Sequence, residues 1–267
     1  MKPAGARAGL SRGPSRGATA ISSLAYHKPK PRATLRLFCF PYAGGSALIY
    51  REWGAALPVQ VEVCPVQLPG RGHRLREAPL QRMQPLAEES ARALLPLFDR
   101  PFAFFGHSMG ALLAFEIARL LRARNVPGPS HLFVSGRQAP QAAETEPPTY
   151  DLPEPEFIEE LRRLNGTPPE VLAHPELMQV MLPLLRADFE AVQTYAYREE
   201  PPLDCPISIY GGVQDEEVSR EDLDGWCAQT NAPCTVRLFP GDHFFLNTAR
   251  DMVLRTLARE LHERHLL

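Results

Sequence analysis

Short apolar runs alternate with helical patterns along most of this chain. Six runs of four to eight residues are bounded by glycine, proline or polar residues, which is typical of buried strands; they cover residues 35–40, 59–66, 102–105, 131–135, 206–210 and 234–239. Apolar positions at helical spacing lie between them, at residues 86–98, 111–121, 223–230 and 249–261. Because strands that alternate with helices form parallel sheets covered on both faces, the pattern predicts an α/β fold, with a mostly parallel sheet flanked by helices.

Residues 138–202 break this alternation, because the segment contains helical patterns but no strand pattern. One helical face is short and ends before Gly166; it carries Phe157, Ile158, Leu161 and Leu164. The other is rich in leucine and methionine, and it carries Leu177, Met178, Met181, Leu182, Leu185, Phe189 and Val192. We expect a helical lid inserted between two strands, with packing of both faces on the body of the domain as the alternative.

The length of 267 residues and the hydrophobic content of 44% suit one domain with an insertion, spanning residues 34–267. Seven of the 29 basic residues and no acidic residue lie in residues 1–33, so the formal charge of −2 becomes −9 for the remainder. We expect this leader to be disordered, because it has few apolar groups to offset the entropy cost of ordering. A nucleic-acid arm or a transit peptide are alternative interpretations.

No segment has the length and apolarity of a membrane span or of a secretory signal, so we expect a cytoplasmic protein that binds neither membranes nor nucleic acid. The five cysteines are widely spaced and contain no C-x-x-C pair. This spacing indicates neither a disulfide framework nor a zinc site, and it favours small buried hydrophobic residues.

The third apolar run leads into Gly106-His107-Ser108-Met109-Gly110 and then into a helical pattern. This strand, sharp turn and helix are typical of a nucleophile elbow, in which flanking glycines let the two elements pack closely around an exposed serine. Ser108 is therefore the predicted nucleophile.

A serine nucleophile needs a base, and the base needs an acid that fixes its tautomer. Asp215 follows the fifth run and His243 follows the sixth, so both belong at the carboxyl edge of the sheet with Ser108. His73 is the reserve base, whereas His107 is interpreted as structural. The other acids considered are less well placed: Asp188, Asp222, Asp224 and Asp242.

The oxyanion of a tetrahedral intermediate requires hydrogen-bond donors. We expect the backbone N–H of Met109, which follows the nucleophile, to supply one. The loop after the first strand, Tyr42-Ala43-Gly44-Gly45-Ser46, is expected to supply the other from Ala43. The alternative is that its glycines serve only to turn the chain.

Three further motifs are Leu68-Pro69-Gly70-Arg71-Gly72-His73-Arg74, residues 211–215 and Gly241-Asp242-His243-Phe244. With these motifs, and with the nucleophile elbow and the glycine loop described above, the chain from Leu35 onward resembles a type II thioesterase. The resemblance implies an α/β-hydrolase fold and a triad of Ser108, His243 and Asp215. It also implies hydrolysis of stalled or aberrant acyl groups from the phosphopantetheine arm of acyl or peptidyl carrier proteins, in polyketide or nonribosomal peptide biosynthesis. No metal or cofactor is implied, and we expect a monomer.

Other functions remain open at this point. A medium-chain thioesterase that releases fatty acids from a fatty acid synthase shares these motifs, and an esterase, a lipase or a catalytically silent binding protein are more distant alternatives. Arg71 and Arg74 are candidates for contact with the cofactor phosphate or with an acidic carrier protein, against simple solvation of both side chains.

Overall fold

The computed structural model describes residues 23–142, 147–264 and 266, and a six-stranded sheet lies at its centre. The strand order is β2-β1-β3-β4-β5-β6, and every pairing of neighbouring strands is parallel. The strands are β1 (Leu35–Phe40), β2 (Val61–Pro65), β3 (Phe102–His107), β4 (His131–Ser135), β5 (Ile207–Gly212) and β6 (Cys234–Phe239). The predicted α/β architecture with a parallel sheet is thus confirmed.

Helices cover both faces of this sheet. Successive strand residues point to opposite faces, so Phe38 packs with the helices on one side and Leu37 with those on the other. The helices that precede β4 are α1 (Trp53–Ala56), α2 (Met83–Leu94) and α3 (Met109–Ala123). Those that follow β5 are α7 (Arg220–Asp224), α8 (Phe245–Thr248) and α9 (Arg250–Glu263).

Three helices lie in the described part of the segment between β4 and β5: α4 (Glu154–Arg163), α5 (Pro169–Leu172) and α6 (Pro175–Gln193). They share a small apolar core of their own, in which Phe157 and Leu161 of α4 pack with Met178, Leu182 and Leu185 of α6. The two helical patterns predicted in this segment are present. The short α5 was not predicted, because four residues are too few to show a helical period.

The leader differs in part from the expectation that residues 1–33 are disordered. Residues 1–22 lie outside the described residues, but Leu24 is buried and forms an antiparallel bridge with Val66. His27 Nε2 also lies 2.6 Å from the Glu62 carboxylate. The part of the leader from residue 23 onward is therefore packed on the domain.

The cysteines correct a second expectation. Cys227, in the 3₁₀ turn Gly225–Gln229, forms a disulfide with Cys234 at the start of β6. The prediction of no disulfide was wrong here, because the turn brings two cysteines seven positions apart to a Cα separation of 5.5 Å. Cys39 and Cys64 are buried free thiols, as expected. None of the helices in the described ranges has the length and apolarity to cross a bilayer.

Candidate active site

Ser108 lies between the end of β3 and the start of α3 with strained backbone angles, φ 52° and ψ −116°. A positive φ is unusual for any residue with a side chain. Its N–H donates to the Ser135 carbonyl at the end of β4, at 2.8 Å, and this bond holds the turn against the neighbouring strand. The sequence thus places a strained serine where strand and helix meet.

Close contact between β3 and α3 requires the glycines of the elbow. A Cβ on Gly106 would lie 2.0 Å from the carbonyl oxygen of Gly110, which no side chain permits. The predicted role of the flanking glycines therefore has a direct steric basis.

Asp215 and His243 lie in loops after β5 and β6 and are hydrogen bonded to each other. His243 Nδ1 and Asp215 Oδ2 are 2.9 Å apart, and the Asp215 carboxylate is fully buried. Asp215 Oδ1 accepts two further bonds, from the N–H groups of Glu217 at 3.0 Å and Val218 at 3.2 Å. The acid is thereby held in one orientation, and it fixes the plane of the His243 ring.

Ser108 and His243 line one cavity of about 290 Å³ together with Ala43. Its apolar wall comes largely from the helices between β4 and β5, and includes Leu161, Leu164, Leu185, Phe189 and Val192. Tyr42 and Phe244 also line it, with ring centroids 5.0 Å apart. Polar residues line the rest of the cavity, among them Arg137, Glu160 and Gln193. A reactive centre of Ser108 and His243 beside both an apolar wall and polar groups suits a substrate that carries a carbonyl, a hydrocarbon portion and polar groups.

The glycine loop after β1 lies beside this centre. Gly45 N–H donates to the Tyr42 carbonyl at 2.9 Å, and Gly44 has a φ of 73°. Ala43 lies within the turn that the Gly45–Tyr42 hydrogen bond closes, and it borders the cavity. Met109 is the first residue of α3. Both predicted oxyanion donors thus belong to backbone segments adjacent to Ser108 or to its cavity.

The rival histidines occupy different environments. His107 is completely buried, and its Nδ1 lies 2.9 Å from Ser135 Oγ. Burial, and then the proximity of His243, lower the pKa of His107 well below its usual range, so the ring stays neutral. His73 is exposed and is absent from the described residues that line the cavity.

The rival acids make other interactions, two of them with nearby backbone or capping groups and one with a distant arginine. Asp222 completes a capping box with Ser219 at the start of α7. Asp242 Oδ1 accepts from the Phe244 N–H at 2.9 Å, in the turn that carries His243. Asp188 lies on α6, is almost fully buried and pairs with Arg71.

The idea that Arg71 and Arg74 contact a phosphate or an acidic partner is wrong for this structure. Both side chains are buried: Arg71 pairs with Asp188, and Arg74 pairs with Glu77 and Glu89. Their charges are already balanced inside the protein. The Arg71–Asp188 pair was not predicted, because the sequence gives no signal that relates two residues 117 positions apart.

Among the residues that the structure describes, one group of potential metal ligands lies away from the cavity, formed by His27, Glu62 and Cys64. The Glu62 carboxylate lies 3.5 Å from both Arg36 Nε and Arg100 Nη1. Two guanidinium groups at this distance already balance its charge and disfavour a cation.

Comparison with known proteins gives a consistent family assignment. A model of the thioesterase domain matches residues 35–261. The gramicidin S biosynthesis protein GrsT of Aneurinibacillus migulanus is 46% identical over 229 residues, which cover 86% of this chain and 90% of the relative. A medium-chain S-acyl fatty acid synthase thioesterase of Rattus norvegicus is 34% identical over 219 residues, 81% of this chain and 83% of that protein.

Two solved structures agree over most of the chain. The type II thioesterase BorB from the borrelidin biosynthetic cluster has a TM-score of 0.80 and 39% identity, and the match covers 88% of this chain and 96% of BorB. The thioesterase RedJ from the prodiginine pathway in Streptomyces coelicolor has a TM-score of 0.82 and 40% identity, with 97% of both chains covered.

Proposed function

The protein belongs to the thioesterase family, and we propose that it is an editing enzyme that hydrolyses stalled or aberrant acyl groups from the phosphopantetheine arm of carrier proteins. It would serve polyketide or nonribosomal peptide biosynthesis, as the type II thioesterase YbtT of the yersiniabactin NRPS/PKS pathway does. One observation carries the catalytic part of the proposal: Ser108 lines the same cavity as a histidine that Asp215 holds in place.

In the acylation step, Ser108 Oγ attacks the thioester carbonyl carbon while His243 accepts the hydroxyl proton. Asp215 stabilises the imidazolium that forms, through its bond to Nδ1. The backbone N–H groups of Ala43 and Met109 donate to the oxyanion. Collapse of the intermediate breaks the carbon–sulfur bond, and the thiol leaves with the proton from His243.

In the deacylation step, a water molecule attacks the acyl-Ser108 carbonyl and His243 takes its proton. The second tetrahedral intermediate uses the same two oxyanion donors, and its collapse returns the proton to Ser108 Oγ and releases the acid. Every proton transfer in this cycle runs through His243. The residues of this chain therefore supply the nucleophile, the base and the oxyanion donors for both steps.

The helices between β4 and β5 serve as the lid in this proposal, within residues 138–202. Leu185, Phe189 and Val192 of α6 contact the acyl chain, and the phosphopantetheine arm reaches Ser108 from the mouth of the cavity. The partner is an acyl or peptidyl carrier protein. We further propose that the enzyme acts in the cytoplasm as a monomer.

A second candidate is the release of medium-chain fatty acids from a fatty acid synthase. The similarity to the medium-chain enzyme of Rattus norvegicus favours it, because that relative is matched over 83% of its length. The two functions differ in the acyl length preferred. Fastest cleavage of acetyl and other short groups identifies editing, whereas fastest cleavage of eight- to twelve-carbon groups identifies chain release.

The test is hydrolysis of a series of acyl-phosphopantetheinyl carrier proteins, from acetyl to dodecanoyl, followed by release of the free carrier thiol. Wild type is compared with Ser108→Ala and with the matched control Ser130→Ala. Ser130 lies just before β4, at the amino ends of the strands, whereas Ser108 lies at their carboxyl ends. We expect cleavage by wild type and by Ser130→Ala, and none above background by Ser108→Ala. Absence of thioester cleavage by wild type across the series would overturn the proposal.

A further inference from the structure

A buried ion pair ties α6 to the loop after β2. Arg71 donates from Nη1 to Asp188 Oδ2 and from Nη2 to Asp188 Oδ1, each at 2.7 Å. The two side chains are only 4% and 1% exposed. The bidentate geometry fixes both the distance and the relative orientation of the two segments.

Both members of the pair also bind the backbone of the glycine loop after β1. Asp188 Oδ2 accepts from the Gly44 N–H at 2.7 Å, and Arg71 Nη1 donates to the Gly45 carbonyl at 3.0 Å. Gly44 directly follows Ala43, the proposed oxyanion donor. Two successive residues after that donor are therefore held by one ion pair.

Packing holds the loop from the same side. A Cβ on Gly44 would lie 2.4 Å from Leu185 Cδ2, so the loop touches α6 one turn before Asp188. Leu185 also lines the cavity. A shift of α6 would thus be felt both at the wall of the cavity and at the glycine loop.

Stability alone explains this arrangement poorly. Burial of two charges costs free energy that their attraction barely repays, and apolar residues of similar volume serve a core equally well. Apolar side chains, however, could neither accept from Gly44 N–H nor donate to the Gly45 carbonyl. The pair provides backbone anchoring that a hydrophobic contact lacks.

We propose that Arg71 and Asp188 are positioning residues, which hold the Ala43 N–H toward the oxyanion and make its position depend on α6. This inference rests on the proposed function, in which Ala43 donates to the tetrahedral intermediate. The pair touches the backbone next to the donor and acts through it. Its loss should slow the chemistry while leaving substrate binding largely intact.

The primary variant is Asp188→Asn, and two rates are measured. The first is the rate at which a fluorophosphonate labels Ser108. In this reaction Ser108 Oγ bonds to phosphorus, fluoride leaves and His243 takes the hydroxyl proton. The phosphoryl oxygen occupies the oxyanion site. The second is hydrolysis of the preferred acyl carrier. We expect the labelling rate and kcat to fall about 10- to 100-fold, less than the loss on deleting an oxyanion donor, with KM changed less than about threefold.

Two further variants separate positioning from stability. Arg82→Gln breaks another ion pair of α6, the one between Glu190 on that helix and the exposed Arg82. This variant should leave both rates unchanged. The double variant Arg71→Met/Asp188→Leu removes the buried charges together, so it should fold with a Tm close to that of wild type but still label slowly. Circular dichroism and thermal unfolding establish the folded fraction of each.

A folded Asp188→Asn or double variant that labels at the wild-type rate overturns the inference, as does an equal loss in Arg82→Gln. Because fluorophosphonate labelling needs no carrier protein, it also separates the two levels of the proposal. If wild type labels at Ser108 but cleaves no acyl carrier, the proposed function fails, and the labelling comparison still decides the role of Arg71 and Asp188.

Discussion

Gly110, in the first turn of α3, packs directly on the backbone of Phe40 at the end of β1. A Cβ at position 110 would lie 2.1 Å from the Phe40 carbonyl oxygen. The helix that starts after Ser108 can approach the sheet this closely only because residue 110 has no side chain.

Gly110→Ala should therefore push α3 away from β1 and displace Ser108. We expect a loss of stability of about 3 kcal/mol or more, because backbone atoms cannot yield as a side chain can, together with loss of Ser108 labelling in whatever folded protein remains. Thermal unfolding and fluorophosphonate labelling measure the two effects. Gly128→Ala is the control, since a Cβ there meets nothing within 4 Å; equal behaviour of the two variants would contradict the steric argument.

Asp215→Asn should reduce kcat by about 10³- to 10⁴-fold, because an amide can favour the wrong tautomer of His243 and does not stabilise the imidazolium. The carboxylate is replaced by a group of nearly the same shape, so folding should be retained. Steady-state kinetics on an acyl carrier measure the loss. Asp224→Asn, at an exposed position on α7, is the matched control and should retain full activity. A wild-type kcat in folded Asp215→Asn would remove Asp215 from the mechanism.

His131 should make folding stability fall as the pH falls below about 6.5. Its ring is buried against Ser208, and burial lowers its pKa to about 3. Because the folded-state pKa lies below the unfolded value, the unfolded chain binds the proton first, and stability present above pH 6.5 is lost between pH 6.5 and 3.

Through His131, the free energy of unfolding should fall by about 1.4 kcal/mol for each pH unit below 6.5, or by about 2 kcal/mol between pH 7 and pH 5. Urea unfolding of wild type and His131→Gln at these two pH values tests it: the stability difference between them should shrink by that amount at pH 5. His262→Gln, at an exposed position on α9, should show no such change. A pH-independent difference for His131→Gln would contradict the prediction.

The Cys227–Cys234 disulfide should leave three alkylatable thiols in the unfolded, non-reduced protein and five after reduction. Closure of this short loop should stabilise the fold by about 2.5 kcal/mol relative to the reduced form. Mass spectrometry after alkylation with iodoacetamide counts the thiols, and unfolding with and without reductant measures the stability. Five reactive thiols in the non-reduced protein would show that the bond is absent.

Local patterns in the sequence were sufficient for the sheet and for placing the proposed catalytic residues at its carboxyl edge. Each strand is a short apolar run with a clear end, so its existence was visible, although residues such as Gly106 and His107 were missed at the end of β3. Ser108, Asp215 and His243 follow three such strands. In a parallel sheet that placement alone brings them to one edge.

Contacts between distant segments were not visible in the sequence. Arg71 was expected to face either a partner or solvent, yet it is buried and paired with Asp188 of α6. Nothing near Asp188 in the chain identifies that partner. The disulfide was missed for a related reason: cysteine spacing alone does not show which turn brings two sulfur atoms together. Pairing of this kind depends on tertiary geometry, which local propensity does not encode.

The strand order has a consequence for inactivation. His243 follows β6, which lies at the edge of the sheet, pairs with β5 alone among the described strands and has exposed residues such as Arg237 and Leu238. Ser108 instead follows β3, in the middle of the sheet. Edge elements open at lower free energy than central ones. We therefore expect mild heat or denaturant to separate His243 from Ser108 while most of the sheet is still intact. Activity should then be lost before the fold unfolds, so that it measures the integrity of the edge strand rather than that of the core.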